Sequence, residues 1–201
     1  MFYKRILILS IVAATLLLVV GLLPVHGEEQ IYNKVVRLHV LANSDSEEDQ
    51  AVKLAVRDAI LDVTVPLLQD CKSKEDAVAL LEENRPMLTG TAQAVLQKEG
   101  FDQVVTIEMG LEDYPTRTYD SLCFPAGEYV SMRINIGEGE GQNWWCCVFP
   151  PLCLGAATVS EKKAEDACIS VGFTPTQYKI ITESDQPVYR ARFKILELFG
   201  K

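Results

Sequence analysis

Cys146 and His39 are the residues of this sequence that could together form a hydrolytic site. A thiol hydrolase needs a cysteine nucleophile beside a histidine base that an acid or an amide orients, and Asn43 or Asp45 would be that orienting residue. Reactive cysteines favour helix N-termini and positively charged surroundings. Cys146 instead follows two glutamates in a tryptophan-rich segment, which disfavours a thiolate. We therefore expect no catalytic residue, and the Cys146–His39 pair is the alternative.

Two further segments contain the residue types of an ion-binding site. The acidic run 45–49 has carboxylates for a metal but lacks the central glycine and terminal glutamate of a calcium loop. The segment 137–141 (GEGEG) has the glycines of a phosphate loop, but Glu138 and Glu140 would repel phosphate. We therefore expect a helix cap from the first segment and a turn from the second, with no metal and no cofactor.

A polar cluster is the better candidate for function. Arg37 and His39 share one face of a predicted strand, and Asn43 and Asp45 follow at the end of that strand. Binding residues often gather where strands end beside loops. Together with the polar residues of the glycine-rich turn, these side chains form the predicted partner-binding surface: Arg37, His39, Asn43, Asp45, Glu138, Glu140, Gln142 and Asn143.

The elements that must position these residues indicate an α+β domain. Residues 35–41 alternate like a strand, and 45–63 and 73–99 have the pattern of two to three helices, with Pro66 expected to end the first. Lys53 and Arg57 are expected on the polar face of that first helix. Residues 101–109, 128–136 and 142–149 alternate again, and the glycine-rich turn predicts a hairpin between the last two segments. The predicted fold has one N-terminal strand and these helices packed on a mainly antiparallel sheet.

The N-terminus predicts export across a membrane. Lys4 and Arg5 precede an apolar run over residues 6–23, which Pro24 ends. This length suits either a cleaved signal peptide or a membrane anchor, and the positive charges should stay cytoplasmic. The net charge of −9 argues against nucleic acid as a partner. Export would permit disulfides among the six cysteines, but no pairing follows from the sequence.

Two long sequence blocks carry a resemblance to a known family. The first is 37–45 (RLHVLANSD), continuing through 48–50 to 56–58, and the second is 124–129 followed by 137–153 (GEGEGQNWWCCVFPPLC). With 114–119 (YPTRTY) between them, these blocks resemble the stage II sporulation protein R family of endospore-forming bacteria over roughly residues 34–153.

The resemblance implies a signalling role rather than a metabolic one. Members of this family are exported from the forespore into the intermembrane space, where they activate a membrane-embedded aspartic protease of the mother cell. That protease, the sporulation sigma-E factor-processing peptidase, then removes the pro-sequence of sigma-E. The expected organisation is a signal peptide or anchor over 1–27, the family domain over 28–155 and a C-terminal extension over 156–201 that could pack on the same domain. The alternative function is a secreted Cys–His hydrolase acting on cell-wall peptide or a partner protein.

Overall fold

The computed structural model describes residues 3–7, 11–12, 29–119, 122–154, 157–158 and 161–182. The chain divides into two compact units. The first comprises Met1–Gly27 and Ser184–Lys201, and its described residues, 3–7 and 11–12, are helical. Most of the predicted apolar segment 6–23 and all of the C-terminal segment 183–201 lie outside the described residues. Within the described part of the chain, no helix has the length and apolar character needed to cross a membrane.

The second unit, Glu28–Glu183, contains six helices and eight strands among its described residues. In chain order these are α1 (Glu29–Tyr32), β1 (Val36–Leu41), α2 (Glu47–Leu68), α3 (Lys74–Glu83), α4 (Arg85–Lys98), β2 (Val105–Tyr114), β3 (Arg117–Tyr119), β4 (Leu122–Phe124), β5 (Gly127–Ile136), β6 (Asn143–Phe149), β7 (Cys153–Leu154), β8 (Ala157–Thr158), α5 (Glu161–Ser170) and α6 (Pro175–Thr182). The mixed composition confirms the predicted α+β class.

The main sheet has four strands in the order β2-β5-β1-β6. β5 is antiparallel to β2 and parallel to β1, while β1 is antiparallel to β6. All six residues of β1 are buried, as expected for an inner strand. The mainly antiparallel sheet is therefore confirmed.

The predicted hairpin between β5 and β6 is wrong, because β1 lies between these two strands. The connection 137–142 passes over the end of β1 instead of turning back beside β5. Neighbouring strands lie about 4.8 Å apart, so six residues are enough to pass over one strand. Alternation of apolar residues indicates a strand but not its neighbour, which is why the sequence suggested the simpler arrangement.

Each face of the sheet is packed against its own hydrophobic core. One core joins Val36, Leu38 and Val40 of β1 to the apolar faces of α2, α3 and α4. On the opposite face, a second core joins β4 and Tyr129 of β5 to side chains of α5 and α6, including Ala164, Cys168 and Ile181. The side of β1 that carries Arg37 and His39 is therefore partly covered by the C-terminal half of the chain.

The helix ends follow local sequence signals with one exception. Ser46 and Ser73 cap α2 and α3 by accepting hydrogen bonds from Asp49 N and Asp76 N. Gly100, the second residue after α4, has a positive φ of 82°. The exception is α2, which continues through Pro66 to Leu68. A proline this near the end removes one intrahelical hydrogen bond, and burial of Leu68 favours the extra turn.

Candidate functional site

The loop after β1 and the glycine-rich connection form one hydrogen-bonded cluster, here called the loop cluster (residues 42–50 and 137–142). The main-chain nitrogen of Gly141 donates to the carbonyl oxygen of Ala42 over 2.9 Å. Three more bonds tie the two segments: Glu138 N to Asn43 Oδ1 at 3.1 Å, Glu140 N to Asn43 O at 3.3 Å, and Gln142 N to Asp45 Oδ1 at 2.8 Å. The two sequence blocks therefore meet here and hold each other in place.

Asp49 stabilises the loop cluster from inside. Its side chain is only 5% exposed and accepts hydrogen bonds from Ser44 Oγ at 2.5 Å and Asn43 Nδ2 at 3.0 Å. The bond from Ser44 lowers the pKa of the Asp49 carboxyl, because it stabilises the charged form. This carboxylate therefore has a structural role in the loop.

Lys53 and Arg57 are buried, which corrects the predicted basic stripe on the polar face of α2. The ammonium group of Lys53 donates to the carbonyl oxygen of Gln142 over 2.8 Å, and burial lowers its pKa. The guanidinium of Arg57 lies 4.3 Å from the ring centroid of Trp144. Both cations thus attach α2 to the beginning of β6 and the connection before it.

His39 lies at the centre of a second polar group on the other face of the sheet. Its Nδ1 is 2.6 Å from Glu112 Oε1 and its Nε2 is 2.7 Å from Asn143 Oδ1. The imidazole stacks on Trp145 with ring centroids 5.3 Å apart, and the guanidinium of Arg117 lies 3.8 Å from the same indole. His39 itself is 5% exposed, so these neighbours hold it almost completely away from solvent.

Arg37 is fully buried among aromatic rings. Its guanidinium carbon lies 4.4 to 5.9 Å from the ring centroids of Tyr114, Phe124, Tyr129 and Tyr119. Nε donates to the carbonyl oxygen of Cys146 and Nη2 to the hydroxyl of Tyr119, both over 2.9 Å. Among the described residues, Nη1 has no hydrogen-bond partner. Aromatic faces thus surround a cation that no described carboxylate neutralises.

The structure divides the predicted partner-binding residues into three sets, which are buried, half-buried and exposed. Arg37 and His39 are buried, so their inclusion in a contact surface is corrected: neither side chain can reach a partner without rearrangement of its neighbours. Asn43 is half-buried and its side chain holds the loop cluster together. The exposed members are Asp45, Glu138, Glu140, Gln142 and Asn143. Of these, Glu138 and Glu140 have no side-chain partner among the described residues.

The geometry does not support the Cys146–His39 pair. Cys146 is opposite Leu38 on β1 and belongs to the core beneath the helices, whereas His39 is opposite Trp145 on the other face. Successive residues of a strand point to opposite faces. The sheet therefore separates the thiol of Cys146 from the imidazole. Cys147 is on the histidine's face but is fully buried, with its Sγ 3.2 Å from the carbonyl oxygen of Phe149.

The cysteines whose side chains are described form no disulfide, and the described cysteines and carboxylates form no metal site. The five cysteines whose side chains are described are free thiols: Cys71, Cys123, Cys146, Cys147 and Cys168. Burial raises the pKa of Cys168 to about 12, which keeps it protonated. In the described part of the chain, no group of three or more histidine, cysteine, aspartate or glutamate residues is arranged to hold a metal ion.

Several partners of these groups were not identified from the sequence. Glu112 and Arg117, which contact the His39–Trp145 stack, come from β2 and β3. Tyr119 donates from its hydroxyl to the carbonyl oxygen of Trp145 and accepts from Arg37. The sequence does point to Arg117 and Tyr119, because both lie in the YPTRTY segment that is part of the family resemblance. Glu112 lies beyond the predicted strand 101–109, and the structure extends that strand to Tyr114.

The sequence of this chain matches that of a known family of sporulation proteins. A model of a sporulation protein family, described as stage II sporulation protein R, matches residues 32–159. The chain belongs to the stage II sporulation protein R family. It is 37% identical to stage II sporulation protein R of Bacillus subtilis (strain 168) over 124 residues, which cover 62% of this chain and 55% of that protein. The match thus spans about half the length of this relative. No solved structure matches the chain.

Family membership supports a role in sporulation signalling. The matched region, 32–159, includes the whole loop cluster, the His39–Trp145 stack and the aromatic surroundings of Arg37. The residues that carried the resemblance thus fall into two structural groups. One group, around Arg37, is internal. The other, in the loop cluster, presents side chains to solvent.

Proposed function

We propose that this protein is an exported ligand that activates a membrane-embedded aspartic protease of the mother cell, which then processes pro-sigma-E. Under this proposal the chain leaves the forespore through its N-terminal segment and acts in the intermembrane space. A ligand activates only if it binds the active form of its target more tightly than the inactive form.

The loop cluster is the observation that supports this proposal best. Its four hydrogen bonds between segments fix the main chain of residues 138–142, while the carboxylates of Glu138 and Glu140 stay exposed. A preformed surface loses less conformational entropy on binding than a flexible one. Exposed carboxylates at fixed positions suit a basic surface on the protease, and such charges mainly govern association rate and specificity.

A charge-reversal experiment tests the surface in sporulating cells. The full chain carries Glu138→Lys and Glu140→Lys together, and we expect sigma-E processing to fall about tenfold through lost electrostatic complementarity. The matched control reverses Glu83 and Glu99, two exposed residues at the ends of α3 and α4. The control has the same net charge and should process sigma-E normally. Normal processing in both variants, with equal protein levels, would refute the proposed surface.

The hydrolase alternative is tested separately with Cys146→Ala. Because Cys146 is buried in the core beneath the helices, the variant should lose about 1 kcal/mol of stability and still signal. A hydrolase that used this thiol would instead lose all activity while remaining folded. Circular dichroism of the purified variant establishes folding, so a folded but silent variant would favour the hydrolase.

A further inference from the structure

The outer edge of β2 is long and regular. β2 is at one end of the strand order, so only its inner side is paired. It pairs with β5 over all ten residues from Val105 to Tyr114 with no break in register. It also contains neither proline nor lysine, two of the residues that commonly protect an edge from further pairing.

The hydrogen bonds show which main-chain groups face outward. Val105 N donates to the side chain of Gln93 on α4, whereas Val104 O accepts from Gly137 N beside β5. Main-chain groups alternate in direction along an antiparallel strand. The outward set is therefore Val105, Ile107, Met109, Leu111 and Asp113. Beyond Val105, no described residue pairs with these outward groups.

The opposite edge of the sheet is formed by β6, which is less regular than β2. On β6, the carbonyl oxygen of Trp145 accepts from the hydroxyl of Tyr119 and that of Cys146 accepts from Arg37. Carbonyls of successive residues point to opposite edges of a strand, so one of these two lies on the outer edge. The pairing of β6 with β1 also shifts register next to Val36, which disturbs the strand. Among the described residues, one outward carbonyl of β6 is thus already bonded and the register of β6 is disturbed, whereas the outward groups of β2 after Val105 have no partner.

The side chains of β2 define what could pair with it. On one face are Thr106, Glu108 and Glu112, and the strand itself carries no cation. The carboxylate of Glu112 is bonded to His39, which leaves the exposed Glu108, opposite Arg133 of β5, as the carboxylate available on this face. The carboxylate of Glu108 has no ion pair among the described residues. On the other face are Met109, which is half-buried, and Leu111, which is 67% exposed. A pairing strand would meet the carboxylate of Glu108 on one side and the apolar groups on the other, where Asp113 stands at the end of the strand.

A second copy of the chain suits this edge poorly. If two β2 strands paired antiparallel about Gly110, Glu108 of one copy would lie directly opposite Glu112 of the other. If they paired about Met109, the Glu108 side chains of the two copies would be diagonal neighbours, and neither of these carboxylates has an ion pair among the described residues. Like charges at these positions destabilise a strand pair. The charge pattern therefore favours a partner strand with basic residues.

We propose that the outer edge of β2 binds an extended segment of a partner protein in which basic and apolar residues alternate. Its main chain would pair with Ile107, Met109 and Leu111, as in other interactions that add a strand to a sheet. Its basic side chains would lie beside Glu108, because Glu112 is already bonded to His39, and its apolar side chains would lie beside Leu111. This surface is separate from the loop cluster and does not depend on the identity of the proposed protease.

Hydrogen exchange on the purified full chain in mild detergent tests this inference, with acetyl-(Lys-Val)4-amide as the probe. We expect the peptide to slow exchange of the amides of Ile107, Met109 and Leu111 about tenfold or more, since main-chain hydrogen bonds protect amides. The acidic peptide acetyl-(Glu-Val)4-amide should give no protection. If these amides are already protected without peptide, the edge is occupied and the inference is wrong.

A matched pair of variants separates strand addition from simple charge attraction. Leu111→Pro removes an outward donor but no bond to β5, and Gly110 before it avoids the usual clash with proline. We expect it to weaken peptide binding about tenfold, whereas Leu111→Ala keeps the donor and should change binding less than about threefold. Equal effects of the two would refute strand addition.

A second pair tests the charge requirement and does not depend on the proline variant folding. Glu108→Lys should weaken binding of the basic peptide about tenfold, and Glu108→Gln by an intermediate amount. Wild-type binding should also weaken with added salt. Unchanged affinity in Glu108→Lys would overturn the proposed partner chemistry.

Discussion

Gly141→Ala is the sharpest test of the loop cluster. Gly141 is buried where the glycine-rich connection crosses the end of β1, and its N–H donates to Ala42 O. A Cβ at this position would lie 2.6 Å from the carbonyl carbon of Ser44 and closer still to its oxygen. Both atoms are main chain, so no side-chain rotation can relieve the overlap. The connection itself must move by about 1 Å to reach ordinary contact distance.

The expected loss follows from the bonds that this movement breaks. Three hydrogen bonds join residues 140–142 to residues 42–45, and each contributes about 1 kcal/mol. Alanine also reduces the entropy of the unfolded chain, which offsets about 0.4–1 kcal/mol. We therefore expect a net loss of about 2 kcal/mol in the free energy of unfolding. For a unit of this size that lowers Tm by roughly 4–8 °C.

Urea and thermal unfolding of the full chain in detergent measure this loss, and Gly90→Ala is the matched control. Gly90 lies inside α4, where an added Cβ meets no atom within 4 Å. The control should therefore stabilise the protein by about 0.5–1 kcal/mol. The two substitutions are chemically identical but should act in opposite directions. If Gly141→Ala is as stable as the wild type, the loop cluster does not have the rigidity inferred for it.

Two other substitutions test the buried charges. The pKa of Asp49 is below its ordinary value of 3.8, so the stability it contributes is complete above that pH and is lost as pH falls through the folded pKa. Asp49→Asn should lower the free energy of unfolding by about 1–2 kcal/mol near neutral pH. It should also weaken the fall in stability at acid pH, and an unchanged fall would contradict this role. Arg37→Lys should destabilise by about 2–4 kcal/mol in urea unfolding, because an ammonium cannot keep the bond to Cys146 O and also stack among four rings. Equal stability of the lysine variant would show that the guanidinium geometry does not matter.

Local patterns in the sequence predicted the elements well because each depends on neighbouring residues. Ser46 and Ser73 lie just before helices with acidic first turns, which is the usual signal for a cap. Strict alternation around β1 and β5 predicted strands, and the structure contains them. The two family blocks also predicted the family, since their residue order is a property of the sequence alone.

Exposure of the polar residues could not be predicted in the same way. Arg37 and His39 alternate with apolar residues, so a local pattern places them on a solvated face. In the fold that face receives Tyr119, Phe124 and other residues from a later part of the chain, which bury Arg37 completely. Burial of this kind depends on contacts between residues more than 80 positions apart, and no periodicity within one segment carries that information.

The sequence by itself determined the α+β class, the cap at the start of α2, the alternation within the strands, and the family. Only the tertiary structure decided that β1 lies between β5 and β6, and that the glycine-rich connection therefore crosses β1 and binds the loop that follows it. Caps and alternation arise from interactions over a few residues. Strand order is set by which faces can be buried together across the whole chain. That order made the two family blocks neighbours, left Glu138 and Glu140 exposed, and separated Cys146 from His39.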